Sequence, residues 1–282
     1  MLSYTIINDA ILYPVADLPD YEKRYNLEDK HSKLLRMLCR FDSYCRKHNL
    51  FYSLADGTLI GAVRHGDFIP WDDDADIMMT RDEYNKLRET VKKDDEVKLF
   101  RIGCLDRVSF EENLQDHLYM DLFIIDKVPK RESQFKQLRY KCAFLRSYFL
   151  NIYTLGNSSH HEGYRKIVEP VLYRMARLYV GKKDVFDIYD NLFNKTYTYE
   201  RYTKFTSTMR SMSKQYNKST FENGYGDVLF RGIKLMAIVE ANSFLKALYG
   251  DYQKLPNEEK RVVAHDIDMM QAPEDCIRWY SR

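Results

Sequence analysis

The sequence predicts an α+β protein: a mixed β-sheet core flanked by helices, followed by a mostly helical C-terminal part. Three observations predict it. A long amphipathic stretch runs from Glu28 to His48. Between Leu50 and Ile125, short apolar runs alternate with helix-period stretches. Beyond Pro129 the pattern turns mostly to helix period.

Each element has a local reason. In the first helix Leu34, Leu38, Phe41 and Cys45 fall at spacings of four, three and four, which marks one apolar face. Asn49 follows it, and Leu50 to Ala55 reads as a strand. Asp56-Gly57-Thr58 then turns into a short helix, Leu59 to Arg64, with Asp56 as its cap and its first amides facing outward as an anion site. The run Ala75 to Met79 reads as a buried strand. Thr80 and Glu83 fit a capping box for a helix over 81–93. Segments 97–102 and 118–125 read as further strands, closed by Pro129. Later helices are expected over 131–155, 162–180 (ended by Gly181), 184–200 and 242–249 (ended by Gly250), with short strands over 203–209 and 228–239. No repeat, low-complexity tract or linker divides the chain. Two closely packed parts, 1–130 and 131–282, are expected, with a cleft between them.

The run Trp71-Asp72-Asp73-Asp74-Ala75-Asp76 precedes the apolar Ile77-Met78-Met79. Carboxylates this dense repel one another unless a cation neutralises them, and hard oxygen ligands suit Mg²⁺ or Mn²⁺. Alternation along a strand aims Asp74 and Asp76 to one side, and Asp73 to the other. Asp73 is therefore expected to be a solvated bystander, and Asp72 a support for the loop or a metal-bound water. A solvated acidic turn is the competing reading. Asp121 is the one acid in the apolar run 118–125, and a lone buried acid is costly unless it binds something or pairs with a cation.

Bulk properties exclude several classes. The formal charge is only +2, from 44 basic and 42 acidic residues, so no nucleic-acid partner is expected. The five cysteines include no Cys-x-x-Cys pair, which argues against structural zinc and for reduced thiols. Met1 to Asp9 lacks a basic and apolar leader pattern, and no run of about 18 apolar residues occurs. A cytoplasmic protein is expected. Segment 136–155 interleaves Lys136, Arg139, Lys141 and Arg146 with aromatic and aliphatic residues. It reads either as a helix packed on the core or as a peripheral contact with the inner face of the membrane.

Together, Gly57 and Thr58 at a helix start, Asp74 and Asp76 on one strand and Asp121 on another follow the order found in nucleotidyltransferases. The resemblance then narrows. The stretch Leu54-Ala55-Asp56-Gly57-Thr58-Leu59-Ile60-Gly61-Ala62-Val63-Arg64-His65-Gly66-Asp67-Phe68-Ile69-Pro70-Trp71-Asp72-Asp73-Asp74-Ala75-Asp76-Ile77 resembles the signature of the LicD family. Met120-Asp121-Leu122-Phe123 resembles its next acidic strand. Leu248-Tyr249-Gly250-Asp251-Tyr252-Gln253-Lys254-Leu255-Pro256 and Glu259-Lys260-Arg261 resemble its C-terminal signature. The chain departs from the family at Ile238-Val239-Glu240-Ala241-Asn242, where members often carry proline.

The resemblance implies a nucleotidyltransferase-like core and a metal-dependent phosphotransferase. It would move phosphocholine from CDP-choline, or a related phospho-alcohol from another CDP-alcohol, to a hydroxyl of a glycan or lipid-linked glycan acceptor. Teichoic acid and lipopolysaccharide sugars are the acceptors expected. Transfer of ribitol or glycerol phosphate, true nucleotidyl transfer, and a non-catalytic glycan-binding role are the alternatives. Asp74, Asp76 and Asp121 are the expected metal ligands, with Asp121 also the base. Gly57, Thr58, Asp56, Arg64, His65 and Asp72 are expected at the donor phosphates. Arg64 also reads as a surface ion pair, and His65 as a packing residue. Trp71 is expected to brace the loop. Lys254, Lys260, Arg261 and His265 form a basic cluster, read either as a solvated helix end or as a closure over the donor or the acceptor. Asp121→Asn is expected to leave folding intact. A choline head group would need an aromatic or acidic cage, for which no particular tyrosine stands out.

Overall fold

The computed structural model describes residues 26–102, 105–129, 199–205, 214–263 and 277–281, together with six helical positions between 168 and 178. Helix α1 (Glu28–Lys47) buries Leu34, Leu38, Phe41 and Cys45, the face expected from their spacing. Asn49, at φ 53°, turns the chain out of it. Then follow β1 (Ser53–Leu54), α2 (Asp56–His65), β2 (Asp76–Thr80), α3 (Arg81–Val91), β3 (Lys98–Ile102), β4 (Leu105–Ser109), α4 (Glu111–Leu114) and β5 (Met120–Pro129). After them come β6 (Tyr199–Phe205), β7 (Gln215–Asn217), α5 (Ser219–Glu222), β8 (Tyr225–Phe230), β9 (Ile233–Ile238), α6 (Ala241–Tyr249), a 3-10 turn (Glu258–Lys260) and β10 (Ile277–Trp279).

The fold is α+β around a mixed eight-stranded sheet. The order β1-β2-β5-β4-β3-β10 forms its main path. β2 and β5 run parallel, and the other pairs are antiparallel. β5 is long enough to serve two partners along one edge. Its residues 120–122 pair with β4, and from Ile124 onward β6 takes over. Strands from beyond residue 130 (β6, β7 and β10) therefore join the sheet begun by β1–β5.

Several local expectations are corrected. Asp56 does not cap α2: it is the first helical residue, at φ 39°, and Ala55 holds the N-cap position without a side-chain bond. Thr80 makes no capping bond to α3. Glu83, its expected partner, instead accepts from the Phe51 amide at 3.0 Å and pairs with Lys86, because the segment leading into β1 meets α3's first turn. The single strand expected over 228–239 is a hairpin. Arg231 and Gly232, both at positive φ, form the two-residue loop whose twist suits antiparallel strands. The helix expected over 184–200 ends in strand, since Tyr199 and Glu200 open β6. Its remainder, and segment 131–155, lie outside the described residues. Among the described residues, no helix is long and apolar enough to cross a membrane.

The core lies between the sheet, α1, α2 and α3, with the hairpin β8–β9 packed on β1 and α1. Buried polar side chains come in paired sets. Arg46 bridges Asp42 and Asp227, and Tyr52 donates to Asp42 at 3.0 Å. Arg101 pairs with Asp106, which also accepts from Tyr84. Gly61 marks the closest backbone crossing. A Cβ there would sit 2.4 Å from the Asp67 carbonyl oxygen and 3.2 Å from the Ile69 amide nitrogen. Main chain cannot swing aside as a side-chain tip can. Gly61→Ala is expected to cost about 1–3 kcal/mol, read as a lower denaturant midpoint. An unchanged midpoint would show that the loop yields freely.

Candidate active site

Two strands and one helix start converge at one end of the sheet. In the parallel register Asp76 stands beside Asp121, and the Asp121 amide donates to the Ala75 carbonyl at 2.9 Å. Side chains at paired positions of adjacent strands share a face. Asp74 lies two residues before Asp76 and joins them. Each of the three can offer one oxygen, and these oxygens all lie within 4.8 Å of one another. Asp76 is buried, while Asp74 and Asp121 are half-buried. An all-oxygen set at such spacing fits a hard divalent cation such as Mg²⁺ or Mn²⁺.

The electrostatics agree with that fit. Burial pushes the Asp76 carboxyl well above the usual range, and the charges of Asp74, Asp56, Asp121 and Asp72 push it the same way. A bound cation would reverse both effects.

Helix α2 holds β2 in place through its first turn. Thr58 is buried, and its hydroxyl accepts from the Asp76 amide at 2.8 Å. The Gly57 amide donates to Asp76 Oδ2 at 3.3 Å. A Cβ on Gly57 would fall 2.1 Å from Asp72 Oδ2, so the missing side chain makes room for Asp72. Both residues thus contact the acids directly.

The acidic loop is pinned from behind by α1, which local sequence reasoning missed. His31 is fully buried, stacks on Phe68 at 4.5 Å, and donates from Nε2 to the Asp72 carbonyl at 2.6 Å. Lys30 pairs with Asp73 at 2.8 Å. Asp73 is therefore no solvated bystander: it is only 3% exposed. The first turn of α1, not water, receives it. Trp71 is buried below the loop, with the Arg261 guanidinium 5.6 Å from its ring centre.

Arg64 bonds to both His65 and the C-terminal motif. Arg64 is buried, with Nη1 donating to the Tyr252 carbonyl at 2.7 Å and Nε to His65 Nε2 at 2.9 Å. It ties α2 to the C-terminal motif rather than standing at the surface. Burial, and then the adjacent Arg64 charge, push the His65 imidazole down to about 3, so it stays neutral at ordinary pH. Of the basic cluster, Arg261 reaches the acidic loop through Trp71 and donates to the Pro256 carbonyl at 2.8 Å. Lys254 and Lys260 are exposed, and His265 lies outside the described residues.

Two further groups were not expected at the site. Arg107 is among the most deeply buried side chains. It lies opposite Asp121 across β4–β5, with Nε 3.1 Å from Asp121 Oδ1 and its guanidinium over the Tyr119 ring. Tyr249 is half exposed, but its hydroxyl end is desolvated. That desolvation, and then the charges of Asp56, Asp76 and Asp72, raise its phenol. Burial, and then Asp56, raise that of Tyr216. Two tyrosine hydroxyls thus feel the field of the acids, one of them in the motif at 248–256.

Comparison with known proteins places this geometry. Residues 49–155 match the family described as LicD/FKTN/FKRP, nucleotidyltransferase domain. The lipopolysaccharide cholinephosphotransferase LicD of Haemophilus influenzae is 33% identical over 126 residues, which cover 38% of this chain and 47% of that protein. An uncharacterized protein of Rickettsia prowazekii is 31% identical over 120 residues, 38% of this chain and 45% of its own length. Another, from Rickettsia typhi, is 44% identical over 64 residues, 22% of this chain and 20% of its own. The chain spans about half the length of the first two relatives.

Proposed function

With residues 49–155 matching the LicD/FKTN/FKRP nucleotidyltransferase domain, we propose that the chain is a phosphotransferase that moves phosphocholine from CDP-choline to a hydroxyl of a cell-surface glycan precursor. One observation carries the reading: three carboxylates at the starts of β2 and β5 converge within 4.8 Å inside the family-matched region.

Asp74, Asp76 and Asp121 would hold Mg²⁺ or Mn²⁺. When bound, the ion supplies charge neutralisation and polarisation of phosphate oxygens. The protein's own groups do the rest. The first turn of α2 presents amides toward the donor phosphates. Asp121 accepts the proton of the acceptor hydroxyl, whose oxygen forms the new bond to phosphorus as the bond to CMP breaks and CMP leaves. Asp72, seated against Gly57, supports the loop. Tyr249, half exposed and within the field of Asp56, Asp76 and Asp72, is the aromatic side chain that best suits a quaternary ammonium. The strands of residues 1–130 form the catalytic core in this reading, and the C-terminal motif completes the cleft.

The test is incubation with Mg²⁺, CDP-choline and a glycan acceptor. Release of CMP with phosphocholine on the acceptor supports the reading. Activity only with CDP-ribitol or CDP-glycerol moves it to another phospho-alcohol. Pyrophosphate release from CTP with a nucleotide on the acceptor supports nucleotidyl transfer instead.

Asp121→Asn is expected to lower transfer on the order of 10²- to 10³-fold. Arg107 changes what was expected of folding. Removing its carboxylate partner leaves a buried guanidinium facing only dipoles. A lower melting temperature should therefore accompany the loss of activity. Full activity in this variant would remove Asp121 from the mechanism.

A further inference from the structure

Val168, Val171, Met175 and Leu178 are helical and 44%, 55%, 53% and 84% exposed. They supply four of the nine large hydrophobic side chains exposed among the described residues, within one short stretch. Their spacings of three, four and three place them in one narrow stripe of a 3.6-residue helix. Scattered exposed hydrophobics need no explanation, but an aligned stripe marks a contact surface.

We propose that this stripe docks on an anionic lipid surface, with the helix lying in the plane of the interface. Charge selects that occupant. Residues 164–183 carry Arg165, Lys166, Arg174, Arg177, Lys182 and Lys183 against one acid, Glu169, in a chain whose overall balance is only +2. Arg174 is itself exposed on the helix. A basic segment that carries an apolar helical stripe is drawn to anionic headgroups by its cations and held by its apolar side chains. Long basic side chains can bury their stems while their charged ends stay in water.

A second copy of the chain fits the surface less well. The described helical positions span only Val168 to Leu178, short of the three or four heptads that a coiled-coil seam uses. Pairing would also bring like charges together. The inference rests on the helix alone and stands whichever reaction the acids perform.

The test is sedimentation of the full chain with vesicles of phosphatidylcholine, and with vesicles of equal parts phosphatidylcholine and phosphatidylglycerol. The wild-type chain is expected to pellet with the second kind and not the first, and added salt should weaken the binding. Arg174→Gln should lower affinity about fivefold. The double variant Met175→Asp, Leu178→Asp should lower it at least about tenfold, with an unchanged thermal melt showing that the fold is intact. Three outcomes overturn the proposal. They are no binding to anionic vesicles at low salt, equal binding by the double variant, and a dimer that the double variant converts to monomer. The last would make the stripe an interface between copies.

Discussion

Asp76→Asn should raise the melting temperature of the metal-free protein while removing transfer activity. Asp76 is buried against four other acids, and its carboxyl is held well above the usual range. The sign of the pH dependence follows. A carboxyl whose folded value lies above its unfolded value binds its proton more tightly in the native state. Its contribution is fully present below the ordinary carboxylate range and is lost as pH rises through the raised value. At about pH 8 in chelator, wild type therefore carries a cost that an amide of the same shape avoids. The side-chain oxygen that Asp76→Asn retains can still accept from the Gly57 amide, as the carboxylate does.

The gap between variant and wild type should shrink toward about pH 5, where the carboxyl is protonated more easily. Adding Mg²⁺ should stabilise wild type by roughly 2.7 kcal/mol at a hundredfold excess over its dissociation constant, and the variant much less. Transfer by the variant should fall on the order of 10²- to 10³-fold. Thermal melts across pH, with and without Mg²⁺, check this. A variant that melts below wild type in chelator at high pH would refute the account of Asp76.

The second large effect concerns folding. Asp126 is 1% exposed and takes two bonds from the buried Arg81, Nε to Oδ1 at 2.8 Å and Nη2 to Oδ2 at 2.9 Å. The pair fastens the start of α3 to the middle of β5, the strand that carries Asp121. Such a pair adds little net stability when whole, but removing one partner leaves an unpaired buried charge. Asp126→Ala is expected to cost about 3–5 kcal/mol, or roughly 10 °C in melting temperature. Double replacement by apolar residues of similar volume, Arg81→Met with Asp126→Leu, should recover most of that loss. If the single variant melts like wild type, the guanidinium has found water or another partner, and the pair does not fasten α3.

The acids of the site were legible because their placement is local. Period two along a strand groups Asp74 with Asp76, and an isolated acid in an apolar run singles out Asp121. Helix α1 was legible for the same reason, since its apolar spacing repeats at short range. The missed groups act across long separations. Lys30 and His31 reach Asp73 and Asp72 across 43 and 41 positions, and nothing near either end signals the partner. Arg107 lies outside every strand expected from the sequence, and its partner appears only once β4 is placed next to β5. The hairpin at Arg231-Gly232 was misread because Arg-Gly is not one of the Asn-Gly or Asp-Gly pairs that signal a two-residue turn.

By itself, the sequence determined which residues could form a cation site, which stretches repeat with strand or helix period, and which family the region 49–155 resembles. Only the tertiary structure decided which side chains meet. It turned Asp73 from a solvent-facing residue into a buried partner of Lys30, tied Arg64 to the Tyr252 carbonyl, and set Arg107 against Asp121 and Tyr249 within the field of the acids. The physical reason is range. Side-chain periodicity and turn chemistry act over a few residues and are written in neighbouring positions. Strand order and helix packing are settled by burial of the whole core, and that sum over distant residues leaves no mark at any one of them.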